Sequence, residues 1–408
     1  MSLISLTEKQ KKIAAMNVSI DAIINEDERL IREGIVKRAP QFPDVFANDL
    51  IQKTIADNGL LYMYLEFVNV CNLGCKGCWN GYETEMKDFD PNERHRQSGN
   101  RKNILSFEMN KRLIDEGKNL GVRYINFIGG GEPTISPHFF SLIEYALAKD
   151  IRFETFTNGT LITPSVAERM FSLHVSPFVK LYSLDAKKHD YMVSRNGAHE
   201  AVLQAIDHLT AAGYGRVNDP VMAIETVISH TNLNEIPTLW RFARDRGLIP
   251  FFERFVGTDY NGDPSVLPSP SRLKELYEEI REIDRNEYGY TFPLVPLRIG
   301  FGCSPVAYGV YVQMDGAVKV CAGSPTVLGN IEDASLQSIV KNSKALQALR
   351  HIDQDPESYC GNCSYRKIDE CYGCPGQAEI VGDKLTGDDP LCFHIPDNLS
   401  KPHGGVEH

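Results

Sequence analysis

Between residues 61 and 255 the chain alternates six times between a short apolar stretch and a helix-like one. The apolar stretches are LYMYLEFVN (61–69), VRYINFI (122–128), IRFETFT (151–157), PFVKLYSL (177–184), VMAIETVIS (221–229) and IPFFERF (249–255). Each is of strand length and rich in aliphatic and aromatic residues. Between them lie helical patterns: Ser106, a candidate N-cap, to Gly121; FFSLIEYALAK; Pro164 to Leu173; HEAVLQAIDHLTAAG, closed by Gly213; and Glu235 to Arg246. Strands separated by helices pair in parallel through crossovers. Six units fall short of the eight that close a barrel. The expected fold is therefore α/β, a partial (β/α)6 TIM-like barrel, with ligands at the C-terminal ends of its strands.

The flanks differ in texture. Residues 1–58 are charged and helix-like (DERLIREGIVKRA) and read as an N-terminal helical extension to a barrel spanning 59–257. GTDYNGDPSVLPSPS (257–271) is rich in Gly, Pro and Ser, and the charged helix SRLKELYEEIREIDRN follows, so 258–300 reads as linker and helix. Residues 301–408 are loop-rich, and VYVQMDGAVKV (310–320) fits a hairpin turning on Asp315-Gly316. The polar segment ETEMKDFDPNERHRQSGNRKN (83–103) has no apolar period and reads as a mobile loop.

Ten cysteines fall in clusters: three at 71–78, two at 303–321 and five at 360–392. The N-terminal MSLISLTEKQKKIAAM lacks the apolar core of a secretory signal, and no apolar run is long enough to span a membrane. A cytoplasmic chain is expected, where thiols stay reduced and clustered cysteines are metal ligands before they are disulfides. The formal charge of −11 argues against a nucleic-acid partner.

Cys71-x3-Cys75-x2-Cys78 directly follows the first strand. Three thiolates from one loop fit three irons of a [4Fe–4S] cube and leave the fourth iron open. The alternative is a zinc knuckle completed by a histidine such as His95, although structural zinc takes four protein ligands. GGGEPT (129–134) ends the second strand, where glycines let a backbone come close to a ligand. An ordinary glycine-rich turn would look the same.

Together these motifs resemble the radical S-adenosylmethionine (SAM) enzymes: CNLGCKGC matches the family's CxxxCxxC, and Gly129, Gly130, Gly131 and Glu132 match its GGE motif. The resemblance covers roughly residues 60–257. It implies that SAM chelates the open iron, and that one electron cleaves it to methionine and a 5′-deoxyadenosyl radical, which abstracts a substrate hydrogen. It further implies SAM contacts from Thr157 and Asn158 (the family's TNG), from Ser183 and Asp185 (its S-x-D), and from Arg195, paired with the SAM carboxylate. The family's aromatic residue before the third cysteine is Gly77 here, so Trp79, one place later, is expected to cover the adenine. Separately, Glu66, Glu225 and Glu253 interrupt apolar strands, and point either to a polar substrate in the barrel or to salt bridges.

On spacing alone, Cys360-x2-Cys363-x7-Cys371-x2-Cys374 reads as a zinc ribbon, but seven C-terminal cysteines overfill one zinc site. The tail is similar to the SPASM extension of one radical SAM branch. That resemblance implies auxiliary cluster I on Cys303, Cys321 and Cys374, and auxiliary cluster II on Cys360, Cys363, Cys371 and Cys392. Cluster I then has a fourth iron left for substrate or for another ligand. The aspartate that acts as base in the sulfatase-maturing members is replaced by Ala322, so that activity is not expected.

The expectation is thus an oxidoreductase with SAM and three [4Fe–4S] clusters, reduced by a protein such as flavodoxin or ferredoxin. Its auxiliary clusters would relay electrons or bind substrate. A ribosomally made peptide is the first substrate class, and a sugar or aminocyclitol undergoing dehydrogenation or epimerisation is the second. A zinc-stabilised interaction protein and an RNA-modifying enzyme are the rivals from other classes. No nucleic-acid or membrane partner is expected.

Overall fold

The structure is a computed structural model that describes residues 6–40, 46–78, 85–96, 104–257, 267–303, 305–382 and 384–396. All six expected strands form: β1 (Tyr62–Leu65), β2 (Tyr124–Phe127), β3 (Arg152–Thr157), β4 (Val175–Lys180), β5 (Ala223–Ile228) and β6 (Ile249–Arg254). They pair in parallel in chain order, β1 to β6.

The sheet does not stop at β1. The hairpin strand β7 (Gly309–Val312) lies parallel to β1 on its other edge, with Tyr62 opposite Gly309 and Leu65 opposite Val312. Strands β8 (Ala317–Lys319) and β9 (Val327–Asn330) extend it antiparallel, giving nine strands in the order β6-β5-β4-β3-β2-β1-β7-β8-β9. The turn forms where Asp315-Gly316 predicts it: Gly316 has φ +83°, and the Ala317 N–H donates to Asp315 Oδ1 at 3.2 Å. Glu66 fastens the junction of β1 and β7. Its carboxylate accepts from Tyr311 Oη at 2.6 Å and from the Met314 N–H at 3.2 Å.

Helices cover the outer face, among them α2 (Phe107–Leu120), α3 (Phe139–Leu147), α4 (Pro164–Ser172), α6 (Ala198–Ala212) and α7 (Ile236–Arg244), with a short α5 (Ala186–Val193) before α6. Their ends follow local chemistry: Ser106 caps α2, Thr163 caps α4, and Gly121 closes α2 in the left-handed region. On α7 the buried positions Ile236, Leu239, Trp240 and Ala243 recur at helical spacing and pack on the sheet. Inside the barrel Phe156, Phe178 and Phe251 form a plug of stacked and edge-on rings.

Two expectations need adjustment. Strand β4 runs 175–180 rather than 177–184, because side chains capture the backbone beyond it. The Tyr182 N–H donates to His189 Nδ1 at 3.4 Å, and the Tyr182 carbonyl accepts from Asn232 Nδ2 at 3.1 Å. The polar segment after the first cysteines is paired where it is described: Lys87–Asp88 with Arg195–Asn196, and His95–Arg96 with Val70–Cys71. Each pairing is only two residues long, which leaves no apolar period to read. Residues 83, 84 and 97–103 of it lie outside the described residues, as do 258–266 of the expected linker.

The N-terminal helix α1 (Glu8–Arg32) starts with a capping box on Thr7 and Gln10. It packs Ile13, Met16 and Ile20 against Tyr359, Tyr365 and Cys371, so the extension covers the C-terminal cysteine region rather than the barrel. Asn17 fixes it there, donating to the Asn362 carbonyl at 2.8 Å and accepting from the Ser364 N–H at 3.0 Å. Among the described residues no helix is long and apolar enough to cross a membrane.

Candidate functional site

The first three cysteines gather at the C-terminal mouth of the barrel. Their loop is anchored on both sides. The Gly74 N–H donates to the Val193 carbonyl at 3.1 Å, and the Lys76 N–H to the Met192 carbonyl at 2.8 Å, at the end of α5. On the other side Asn158 Nδ2 donates to Asn72 Oδ1 at 2.9 Å and reaches Cys71 Sγ at 3.8 Å. Leu73 is buried with Tyr182, Met192 and Val193, and Cys71 and Cys75 pack against that cluster. Gly77, where the family has an aromatic residue, takes φ +71°, a conformation costly for any residue with a Cβ. Trp79 lies outside the described residues.

The three glycines of GGGE serve the protein's own chain. A Cβ on Gly130 would stand 2.1 Å from the Val68 carbonyl oxygen, and one on Gly131 2.2 Å from that of Val70. The motif therefore lies flat against the strand leading into Cys71, and the Glu132 N–H donates to the Val70 carbonyl at 2.9 Å. The Glu132 carboxylate then ties β2 to β3: it accepts from Thr134 Oγ1 at 2.6 Å, from Thr157 Oγ1 at 2.7 Å and from the Asn158 N–H at 2.7 Å. Burial raises its pKa, and those donors oppose the rise.

An open cleft faces this loop. Its walls include Cys71, Cys75, Cys78, Gly129, Gly131, Glu132, Thr157 and Asn158 on the cysteine side. Phe156, Tyr182, Phe255 and Val256 supply apolar surface, and Lys180, Glu253 and Arg254 supply charge. Burial and the Glu132 charge push the Cys71 thiol up to about 12; burial and the neighbouring Cys71 and Cys78 push Cys75 up as well. Lys180 opposes the rise at Cys75, and ligation of a metal by these thiols releases protons.

Other expected site residues stand elsewhere. Ser183 donates to Glu235 and accepts from the Asp185 N–H at 2.9 Å; the exposed Asp185 caps α5 by accepting from the Lys188 N–H at 3.1 Å. Arg195 is fully buried and pairs with Glu93 at 3.2 Å. None of the three borders the cleft, and neither do Glu66 and Glu225. Glu225 pairs with Lys180 at 2.8 Å across adjacent strands, so the bridge runs within the sheet rather than to a helix. Of the three glutamates only Glu253 reaches the cleft, with Arg298 at 2.9 Å behind it. Lys180 and Arg254 are absent from the set of residues that the sequence singles out. The signal that marks the glutamates, a charge inside an apolar strand, is present at both.

The remaining seven thiols form two groups. Cys360, Cys363, Cys371 and Cys392 surround a small cavity with Tyr359, His394 and Asp389. Cys321 lies near enough to both Cys303 and Cys374 for their charges to interact. Among the described residues no three His, Cys, Asp or Glu side chains converge on a single ion position.

Behind the loop sits a pH-sensitive support. Burial, with His199 nearby, lowers the His189 pKa to about 3, and its neutral Nδ1 accepts the Tyr182 N–H. A depressed pKa means that this stabilisation is complete above the ordinary value near 6.5 and is lost as pH falls towards 3. Taking wild type from pH 7 to pH 5 should remove about 2 kcal/mol through this group. His189→Asn, which keeps an acceptor, should lose correspondingly less in urea unfolding; equal acid losses in both proteins would exclude the assignment.

The model of the radical SAM superfamily matches residues 65–243, and that of an iron–sulfur cluster-binding domain, SPASM, matches 303–364. The chain is similar to an AdoMet-dependent heme synthase of Methanosarcina barkeri, at 26% identity over 80% of this chain and 94% of that protein. It is 29% identical to the mycofactocin maturase MftC of Mycobacterium tuberculosis over 80% of this chain and 81% of that one. To a PqqA peptide cyclase of Granulibacter bethesdensis the identity is 23%, over 81% and 86%. In fold it resembles Streptococcus suis SuiB bound to precursor peptide SuiA, with TM-score 0.60 and 15% identity over 95% of this chain and 93% of that one. The family models agree with the thiol loop at the barrel mouth and with the second set of thiols beyond it: the chain is an enzyme of the radical SAM superfamily, in its SPASM branch.

Proposed function

We propose that this enzyme modifies a ribosomally made peptide by hydrogen abstraction, with three [4Fe–4S] clusters. The observation that carries the proposal is the three-thiol loop set in the wall of an open cleft at the C-terminal mouth of the barrel, where apolar rings and charged side chains face the thiols. The donor set fits: the three thiols on one loop would hold a [4Fe–4S] cluster and would leave one iron free for SAM. When bound, this group supplies one electron that cleaves SAM to the 5′-deoxyadenosyl radical.

This chain's residues contribute orientation and dryness. The bond from Asn158 to Asn72 fixes the loop. The Glu132 brace holds the GGG backbone against Val68 and Val70. Phe156, Tyr182, Phe255 and Val256 keep water from the reacting centre, while Lys180 and Glu253 offer charges that can fix a polar substrate. The seven C-terminal thiols would hold the two auxiliary clusters, on Cys303, Cys321 and Cys374 and on Cys360, Cys363, Cys371 and Cys392.

The maturase and peptide-cyclase relatives favour a peptide. The heme synthase relatives favour a second reading, a small or macrocyclic metabolite. A sugar or aminocyclitol has less support, since of the three strand glutamates that could hold a polar substrate two do not border the cleft. After anaerobic reconstitution, about twelve irons and twelve sulfides per chain are expected. Formation of 5′-deoxyadenosine should then be accelerated by precursor peptides. Acceleration only by a porphyrin or a sugar would overturn the peptide assignment, and zinc without iron would overturn the cluster assignment.

A further inference from the structure

Arg254 ends β6, is 2% exposed, and borders the cleft. Its guanidinium is bound on two sides. Nε donates to the Pro296 carbonyl at 3.2 Å, and Nη2 pairs with Asp389 Oδ2 at 2.5 Å. Nη1 is buried and has no hydrogen-bond partner among the described residues. A buried, charged donor left unpaired is costly, so its acceptor should be something that fills the site in the working enzyme. The neighbouring group is Cys374, whose thiol the Arg254 charge pulls down against the effect of burial.

Asp389 is 1% exposed and faces the other way. Its backbone N–H donates to Cys360 Sγ at 3.4 Å, and its side chain accepts from the Leu391 N–H at 3.0 Å. It lines the cavity among Cys360, Cys363, Cys371 and Cys392. One buried ion pair therefore has its cationic end beside Cys374 and its anionic end between the two groups, since the Asp389 charge acts on Cys360, Cys371 and Cys392 and also, against Arg254, on Cys374. A pair kept only for stability would be a poor choice here, since burying two charges is seldom a net gain even when all their donors are met.

We propose that Arg254 donates through Nη1 to the iron–sulfur group held by Cys303, Cys321 and Cys374, and that Asp389 couples this donor to the group held by the other four thiols. The pair is a positioning device that separates the reduction potentials of the two centres. A cation and a hydrogen bond near the first favour its more negative, reduced state, and an anion near the second disfavours reduction there. Electrons would then pass preferentially towards the centre nearer the cleft residue Arg254. The inference rests on the reading that these seven thiols carry two clusters.

The test uses the full chain with Cys71, Cys75 and Cys78 replaced by alanine, so that iron remains only on the C-terminal thiols. The protein is reconstituted without oxygen and titrated potentiometrically by EPR. Arg254→Gln should weaken the reduction equilibrium of one centre about tenfold, which is about 59 mV for a one-electron couple. Should that variant fail to load iron, Arg254→Met combined with Asp389→Leu leaves no lone buried charge. In it the two midpoints should converge, one falling and one rising. Midpoints that match the parent in the variant that loads iron would overturn the role of Arg254. A parent with no iron at all would instead overturn the cluster reading beneath it.

Discussion

Cys75→Ala is expected to abolish SAM cleavage, by more than about 100-fold, since loss even of a residue that merely supports a metal ligand costs 10–100-fold. The reason is geometric. Cys71, Cys75 and Cys78 are the only thiols that border the cleft among the described residues, and the nearby Glu132 carboxylate is already held by Thr134, Thr157 and the Asn158 N–H. Iron should fall from about twelve to about eight per chain, because one cube is lost. Cys363→Ala is the informative contrast. It should also lose iron, but from the cavity beside Tyr359 and Tyr365, and leave SAM binding at the barrel mouth intact. Equal loss of SAM binding in both variants, measured by equilibrium dialysis, would show that the two thiol sets are not separate sites.

The second large effect is expected from one methyl group. Gly130→Ala places a Cβ 2.1 Å from the Val68 carbonyl oxygen and 2.8 Å from Met314 Cε, at φ +70°. The left-handed conformation alone costs about 1–2 kcal/mol for a residue with a Cβ. The backbone contact cannot be relieved by turning a side chain, so the strand entering Cys71 must move, and the total should reach about 3 kcal/mol or more. Gly197→Ala controls for the conformation, because Gly197 has φ +86° but nothing within 4 Å of the place its Cβ would take. It should lose only about 1–2 kcal/mol. Thermal unfolding of both variants decides. Similar losses would mean that the close approach of Gly130 to Val68 is not what the glycine provides.

Much of the barrel is legible in the sequence because its strands are apolar runs and its helices begin and end on capping residues such as Ser106 and Gly121. Such signals are local. What the sequence conceals is long-range. Nothing in GVYV indicates that this strand adds to the far edge of β1, because parallel register is set by partners hundreds of residues away. The same holds for Glu66, which reads as a substrate contact in one dimension and has Tyr311 and Met314 around it in three. GGGE is recognisable as a motif, yet its glycines are explained by Val68 and Val70, a contact that no local pattern reveals. Arg254 escapes notice because its partner, Asp389, lies 135 positions away.

The position of β7 bears on how the enzyme can be divided. A strand edge that lies open, as that of β1 would without β7, invites pairing with another chain. Here the barrel's first edge is sealed by residues 309–312, and Glu66 is buried only because Tyr311 comes with them. Cutting the gene between the SAM-binding half and the cysteine-rich half would strip that seal and strand a carboxylate without its donors. The two halves share one sheet, so any engineered chimera would need to carry the hairpin along with the barrel it closes.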